Sequence, residues 1–391
     1  MASLMPSILS LCITGEQRHA SAAVTDPAIT DITSTEERKQ LRLVFGTKVI
    51  PHPDKEAYGG EDAFFISNAG GGAMGVADGV GGWQESGINP AEYSRTFMRI
   101  ACHYFEGKTI HPVTPTELKE ESSQLLAKEA DASSSSETEA DDLQQEDFQK
   151  AADMLTARGA LAAAHAGTRL PGSSTACVLR LNRVHGTVDT ANLGDSGFML
   201  VRSGRVVYRS PILQHFFDCP LQFGAAPDFS ESTDNAEDAA VAELQVQPGD
   251  VLLAGSDGLW DNCFDSEILQ MLPSRAEGAE QAAAVIAQLA RQHAQDEKFK
   301  SPYIQEALKQ GYDVPWLEKL SRMSFEDGKI QLGTLTGGKI DDITVLVAVV
   351  TEEDVPIEPV EPQAAPTEER DETQTGATNG SAQEQGVTVS S

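Results

Sequence analysis

The chain has 391 residues, 40% of them apolar, and its 60 acidic residues against 29 basic ones give a formal net charge of -31. That length supports one large domain with tails, and the charge would repel nucleic-acid phosphates and anionic lipid, so neither is an expected partner. Five scattered cysteines (Cys12, Cys102, Cys177, Cys219 and Cys263) lack C-x-x-C spacing and are odd in number, which argues against a disulfide framework or a zinc site.

Residues 1–40 read as a disordered or targeting segment. The apolar stretch from Met1 to Ile13 is too short and too interrupted by serine and proline to span a bilayer, and no transmembrane helix is expected. Serine, alanine and threonine around Arg18 fit an organellar transit segment (mitochondrion or plastid), with a disordered cytoplasmic tail as the alternative. The folded domain is expected over residues 41–351. Strands are predicted at residues 63–66 and 73–77. Asn89-Pro90 supplies an N-cap and a first-turn proline for a helix that carries Tyr93, Phe97, Ile100, Ala101 and Tyr104 on one face. Residues 111–147 turn Ser/Glu/Asp-rich and read as a low-complexity insertion. Alanine-rich helical periods follow at 148–166 and 279–295. Further strands are predicted at 175–181, 187–191, 198–202, 206–208, 251–254 and 343–350, several joined by short turns such as Ser203-Gly204. A mostly antiparallel sheet system flanked by helices, in the α+β class, follows. Residues 352–391 read as a disordered acidic tail.

Four acidic elements border strong strands: Glu61-Asp62 before AFFI, Asp78-Gly79 after AMGVA, Asp257-Gly258 after VLLAGS, and Asp341-Asp342 before ITVLVAVV. Two precede their strands and two follow them. In an antiparallel sheet the start of one strand neighbours the end of the next, so all four can lie along one edge. Carboxylates crowded in this way raise one another's pKa and call for a cation. Oxygen donors without histidine or cysteine point to Mg²⁺ or Mn²⁺. Singly, each Asp-Gly is an ordinary turn dipeptide; the four elements together make the case for a site.

The strings GEDAFF, GVADGVGGW, GSSTACVL, ANLGDSGFMLVRSG, GDVLLAGSDGLWDN and GGKIDDITVLVAVV resemble, in order, the motifs of the metal-dependent PP2C-type (PPM) protein phosphatases. LQHFFDCPLQF at 213–223 is similar to a segment of the PTC7-like branch, and the likeness runs from about Phe45 to Val350. It implies a four-layer α-β-β-α sandwich of two mainly antiparallel sheets, a monomer, and hydrolysis of phosphoserine and phosphothreonine in phosphoprotein substrates. It implies two Mn²⁺ or Mg²⁺ ions, with room for a third. By this resemblance Asp78 bridges two ions, Gly79 offers its carbonyl to one, and Glu61 lies on that side. Asp257 and Asp341 hold the other ion, Asp62 supports bound water, and Asp195 helps hold the third. A hairpin-capping role for Asp195 stays open beside that one. Phosphate-monoester hydrolysis demands accelerations up to roughly 10²¹, whereas one general acid or base supplies about 10² to 10⁴. Metal-activated water, served by Asp78 and Asp257, is therefore expected to attack directly, without a phosphoenzyme.

Two positions depart from the family pattern. Val80 stands where a histidine is common, and Ala57 replaces an arginine that anchors phosphate, which leaves the proton donor and the anchor unassigned. Water on a metal, Lys55 and Arg169 are candidates for these roles, each of the two side chains with a solvated surface charge as the plainer reading. A catalytically weak pseudophosphatase that binds phosphoproteins is the alternative function. Two other spacings compete. Cys177 and Arg183 match the C-x5-R of thiol phosphatases, although the intervening VLRLN alternates like a strand rather than a glycine-rich cradle. GDSG at 194–197 with AAHA at 163–166 matches a serine-protease pattern, with too short a His-to-Ser separation for two barrels.

Overall fold

The computed structural model describes residues 38–119, 154–225, 233–313, 315, 324–326, 329–331 and 334–355. Residues 1–37, 120–153 and 356–391 lie outside the described residues, and with them the expected targeting segment, most of the acidic insertion and nearly all of the tail.

Apolar runs separated by tight turns form ten strands that pair into two five-stranded sheets. One sheet contains β1 (Arg38–Ile50), β6 (Gly197–Arg202), β7 (Arg205–Arg209), β9 (Val251–Gly255) and β10 (Ile343–Val355), in the order β1-β10-β9-β6-β7. The other contains β2 (Ala63–Ser67), β3 (Ala73–Ala77), β4 (Ala176–Asn182), β5 (Thr187–Leu193) and β8 (Ala240–Gln245), in the order β8-β5-β4-β3-β2. Every pairing in both sheets is antiparallel. The turn at Ser203-Gly204 has positive φ at both residues, the conformation a two-residue hairpin needs.

The sheets pack face to face through Leu43, Met74, Val76, Leu179, Phe198, Leu200, Leu252 and Leu346, each buried. Full burial of one such side chain contributes about 1.5–3 kcal/mol. The outer face of the β2–β5 sheet is covered by α1 (Pro90–Phe105) and α2 (Ala157–Gly167), through Tyr93, Phe97, Ile100 and Leu161. The outer face of the other sheet is covered by α5 (Ala279–Gln295), through Ala283, Ile286 and Ala290. The order of layers is helix, sheet, sheet, helix, the α+β sandwich the resemblance implied. Central strand β10 is apolar on both faces because the sandwich core lies on one side and α5 on the other.

The caps follow the local sequence. Asn89 accepts from the Ala91 amide with Pro90 in the first turn of α1, as expected. Helix α2 begins at Ala157 rather than 148, because the Thr156 side chain accepts from the Gly159 amide and ends the extended segment there; residues 148–153 lie outside the described residues. Paired strands extend to Arg38 and Val355, past the 41–351 boundaries, and exposed pairs Lys39–Glu352 and Arg42–Glu353 link those ends. Residues 111–119, within the expected insertion, are described, and Val113 bridges Thr168. Among the described residues no helix is long and apolar enough to cross a membrane.

Candidate metal centre

Strand register places the four acidic elements. Ala63 pairs with Ala77, so Glu61-Asp62 at the entry of β2 lies beside Asp78 at the exit of β3. Gly255 pairs with Val345, which sets Asp257 at the exit of β9 beside Asp341 at the entry of β10. The elements therefore fall in two adjacent pairs, one on each sheet, rather than along a single edge. They meet because the sandwich brings these sheet ends together: one carboxylate oxygen from each of Asp78, Asp195 and Asp257 lies within 4.8 Å of the others.

Glycines let these segments touch. A Cβ at Gly79 would lie 2.8 Å from the Glu61 carbonyl oxygen and 3.2 Å from Pro90. A Cβ at Gly258 would sit 2.0 Å from the Asp342 carbonyl oxygen, so only glycine fits after Asp257. Asp257 opens the short helix α3 (Asp257–Trp260), whose first-turn amides favour a carboxylate.

The electrostatics are those of crowded, desolvated anions. Burial, then the charges of Asp257, Asp62, Asp341 and Asp195, hold the Asp78 carboxyl far above the usual range. Burial and Asp257 push Asp195 and Asp341 each up to about 7. Burial, with Asp257 beside it, pushes Asp261 up to about 8. Asp257 itself goes the other way: burial would raise it, but Lys339 holds it below its ordinary value. The Lys339 ammonium lies 2.5 Å from Asp257, 3.0 Å from Asp261, 3.5 Å from Asp218 and 3.8 Å from Asp341.

The residues fit a hard divalent cation. Among the described residues, Asp62 Oδ1, Asp195 Oδ1 and Asp257 Oδ1 are buried without hydrogen-bond partners, an arrangement that is costly for anions unless a cation takes the free lone pairs. Every side-chain donor in the cluster is a carboxylate oxygen, the chemistry that suits Mg²⁺ or Mn²⁺.

No family model matches the chain. Probable protein phosphatase 2C 26 of Arabidopsis thaliana is 34% identical over 314 residues, covering 80% of this chain and 85% of that protein. The protein phosphatase PTC7 homolog of Homo sapiens is 33% identical over 307 residues, covering 76% and 82%. The chain belongs to the PP2C family of protein phosphatases, in its PTC7-like branch. A solved PP2C-type structure agrees in fold: that of the photosystem II phosphatase PBCP is 34% identical, with a TM-score of 0.58, and the match covers 78% of this chain and 98% of that one.

Within this PP2C-type serine/threonine phosphatase, Glu61 sits at the rim of the acidic cluster. Its Oε2 accepts from Lys55 at 2.6 Å, and its Oε1 accepts from Tyr58 at 3.2 Å and from Gln84. Asp62 is turned toward the sandwich, where its Oδ2 accepts from the hydroxyls of Ser256 and Thr344, each at 2.7 Å. Lys55 is not the solvated surface charge that was the plainer reading: it is mostly buried and also lies 3.3 Å from Asp342. Arg169 is exposed and donates to the Ala166 carbonyl. The Val80 amide donates to the Ser173 carbonyl, and the valine brings no titratable group to the site.

The rival spacings come apart. Cys177 is fully buried within β4, and burial raises its thiol pKa, so VLRLN is strand and not a phosphate loop. His165 contacts the Gly224 carbonyl, whereas the Ser196 hydroxyl pairs with Thr175, so no protease-like dyad forms. Sequence reasoning missed Lys339, Asp218, Asp261 and the role of Asp342. The Lys339 signal was available, since a lysine two residues before paired aspartates (GGKIDD) places a cation at their strand entry. Asp342 accepts from the backbone amides of His52 at 2.7 Å and Glu61 at 2.8 Å, and so ties the β2 entry to the β10 entry.

Proposed function

We propose that this protein hydrolyses phosphoserine and phosphothreonine in phosphoproteins with the help of Mn²⁺ or Mg²⁺ ions held by Asp78, Asp257, Asp341, Glu61 and the Gly79 carbonyl. Asp195 serves a further ion, and Asp62 is a supporting residue braced by two hydroxyls. The observation that carries this reading is the meeting of the Asp78, Asp195 and Asp257 carboxylates within 4.8 Å, with Oδ1 of Asp195 and of Asp257 buried and without a hydrogen-bond partner among the described residues. Bound there, the ions supply Lewis acidity toward phosphate oxygens and water at neutral pH.

The chain's own residues arrange the rest. Asp342 pins the backbone of Glu61, and the Ser94 hydroxyl donates to the Glu61 carbonyl at 2.6 Å, so this segment cannot drift from Asp78. Ser256 precedes Asp257 and bonds Asp62, which fixes the β9 exit against the β2 entry. Burial lowers the local dielectric and strengthens every charge interaction at the centre.

The test is release of phosphate from a phosphothreonine peptide. Turnover is expected to require Mn²⁺ or Mg²⁺, to stop on chelation, and to fall by about 10²–10³-fold in Asp257→Asn. Activity that survived chelation would sink the metal-dependent reading.

Similarity to a photosystem II phosphatase supports an organellar address for this chain as well. A fluorescent fusion should enter the organelle with residues 1–35 and fail to enter without them.

A further inference from the structure

The substrate phosphate is a dianion, and the site it must approach is built from carboxylates. Among the described residues two lysines reach that cluster. Lys339 is surrounded by Asp257, Asp261, Asp218 and Asp341, so its charge is spent on the chain itself. Lys55 is placed otherwise. It sits on the short helical segment Pro53–Tyr58, at the wall of a cleft of about 460 Å³ that Tyr58, Gln84 and Asn89 also line. Its ammonium bonds Glu61 at 2.6 Å and Asp342 at 3.3 Å, and its side chain keeps 18% of its surface open. An ammonium has three donors, and two carboxylate contacts leave one for a ligand.

Resting on the phosphatase reading above, we propose that Lys55 is the phosphate-anchoring residue: from the cleft wall its ammonium binds a phosphate oxygen of the substrate while Glu61 and Asp342 hold it in place.

The experiment titrates inorganic phosphate into the Mg²⁺-loaded full chain by calorimetry, comparing wild type, Lys55→Met, Lys55→Gln and Lys55→Arg. Loss of one charge-assisted hydrogen bond should weaken phosphate by about 10- to 100-fold in the Met and Gln variants. Lys55→Arg should stay near wild type, and Mg²⁺ affinity should change little in any of them. In turnover the loss should appear in KM more than in kcat. Because removing Lys55 takes its charge from beside Glu61 and Asp342, a second measurement uses wild type alone: saturating phosphate should slow acetylation of Lys55 while exposed Lys39 and Lys309 react as before. Phosphate affinity within twofold of wild type in a folded Met or Gln variant, or no protection of Lys55, would overturn the proposal. Absence of turnover with Lys55-dependent phosphate binding would overturn the phosphatase reading and leave this one standing. Turnover with Lys55-independent phosphate binding would do the reverse.

Discussion

Two regions on either side of Asp257 neutralise buried carboxylates by different means. On one side Lys339 serves Asp257, Asp261, Asp218 and Asp341 at once, with a single ammonium among four anions. On the other, Asp62 receives no lysine among the described residues; the hydroxyls of Ser256 and Thr344 each donate to it at 2.7 Å. The ionic side is exchangeable, because a point charge can be replaced by another cation. The hydroxyl side is directional, and it holds the two sheet ends in register whether or not a cation is near.

Breaking the ionic side should have the larger effect. Lys339→Met leaves four carboxylates facing one another, and a loss of about 3–5 kcal/mol is expected in metal-free protein, read from urea denaturation. Adding Mg²⁺ should recover most of it, because a divalent ion supplies the missing charge. Recovery of nothing would show that Lys339 acts by packing alone. Breaking the directional side should cost less: Thr344→Val removes one hydroxyl from a buried carboxylate and should lose about 1–3 kcal/mol. Here Mg²⁺ should not repair the loss, and a full repair would merge the two regions into one.

The smallest effect separates them by pH. The carboxyls of Asp195 and Asp341 stand at about 7 and that of Asp261 at about 8, against an ordinary 3.8, so the folded state holds these protons more tightly than the unfolded one. Their contribution is present at low pH and lost as pH rises through 7 to 8. Asp257, held low by Lys339, has the opposite sign, but its window lies at or below the ordinary aspartate range. Metal-free protein should therefore lose thermal midpoint as pH rises from about 6 to about 8. A midpoint that rose over this interval would contradict the assigned burial of these acids.

Much of this was legible in the sequence for identifiable reasons. The runs AMGVA and ITVLVAVV read as strands because buried strands are apolar on both faces, and the acidic dipeptides beside them marked the strand ends. Strand β1 escaped notice because its first residues, RKQLR, are charged for solvent pairing at a sheet edge. Strand β8, AVAELQ, alternates, but its small side chains give a weak pattern. Helix α4 (Asp265–Met271) and helix α6 (Pro302–Lys309) span two turns or fewer than three, too short for a helical period to show. At the site, residue types announced the metal chemistry, but the place of each lysine did not follow from them. Lys55 is six residues from Glu61 in the chain, and Asp342 is 281 from it; only the folded backbone puts all three together.

That last separation governs how the protein comes into being. Strand β10 enters between β1 and β9, carrying Lys339, Asp341 and Asp342 just ahead of it. During synthesis β1 emerges first and must wait nearly the whole length of the domain for its neighbour, a non-local pairing of the kind that folds slowly. Until β10 docks, Glu61 lacks Asp342, and Asp257 lacks both Asp341 and its lysine. A growing chain therefore carries an inert half-site, and competence arrives in one step with the closing strand.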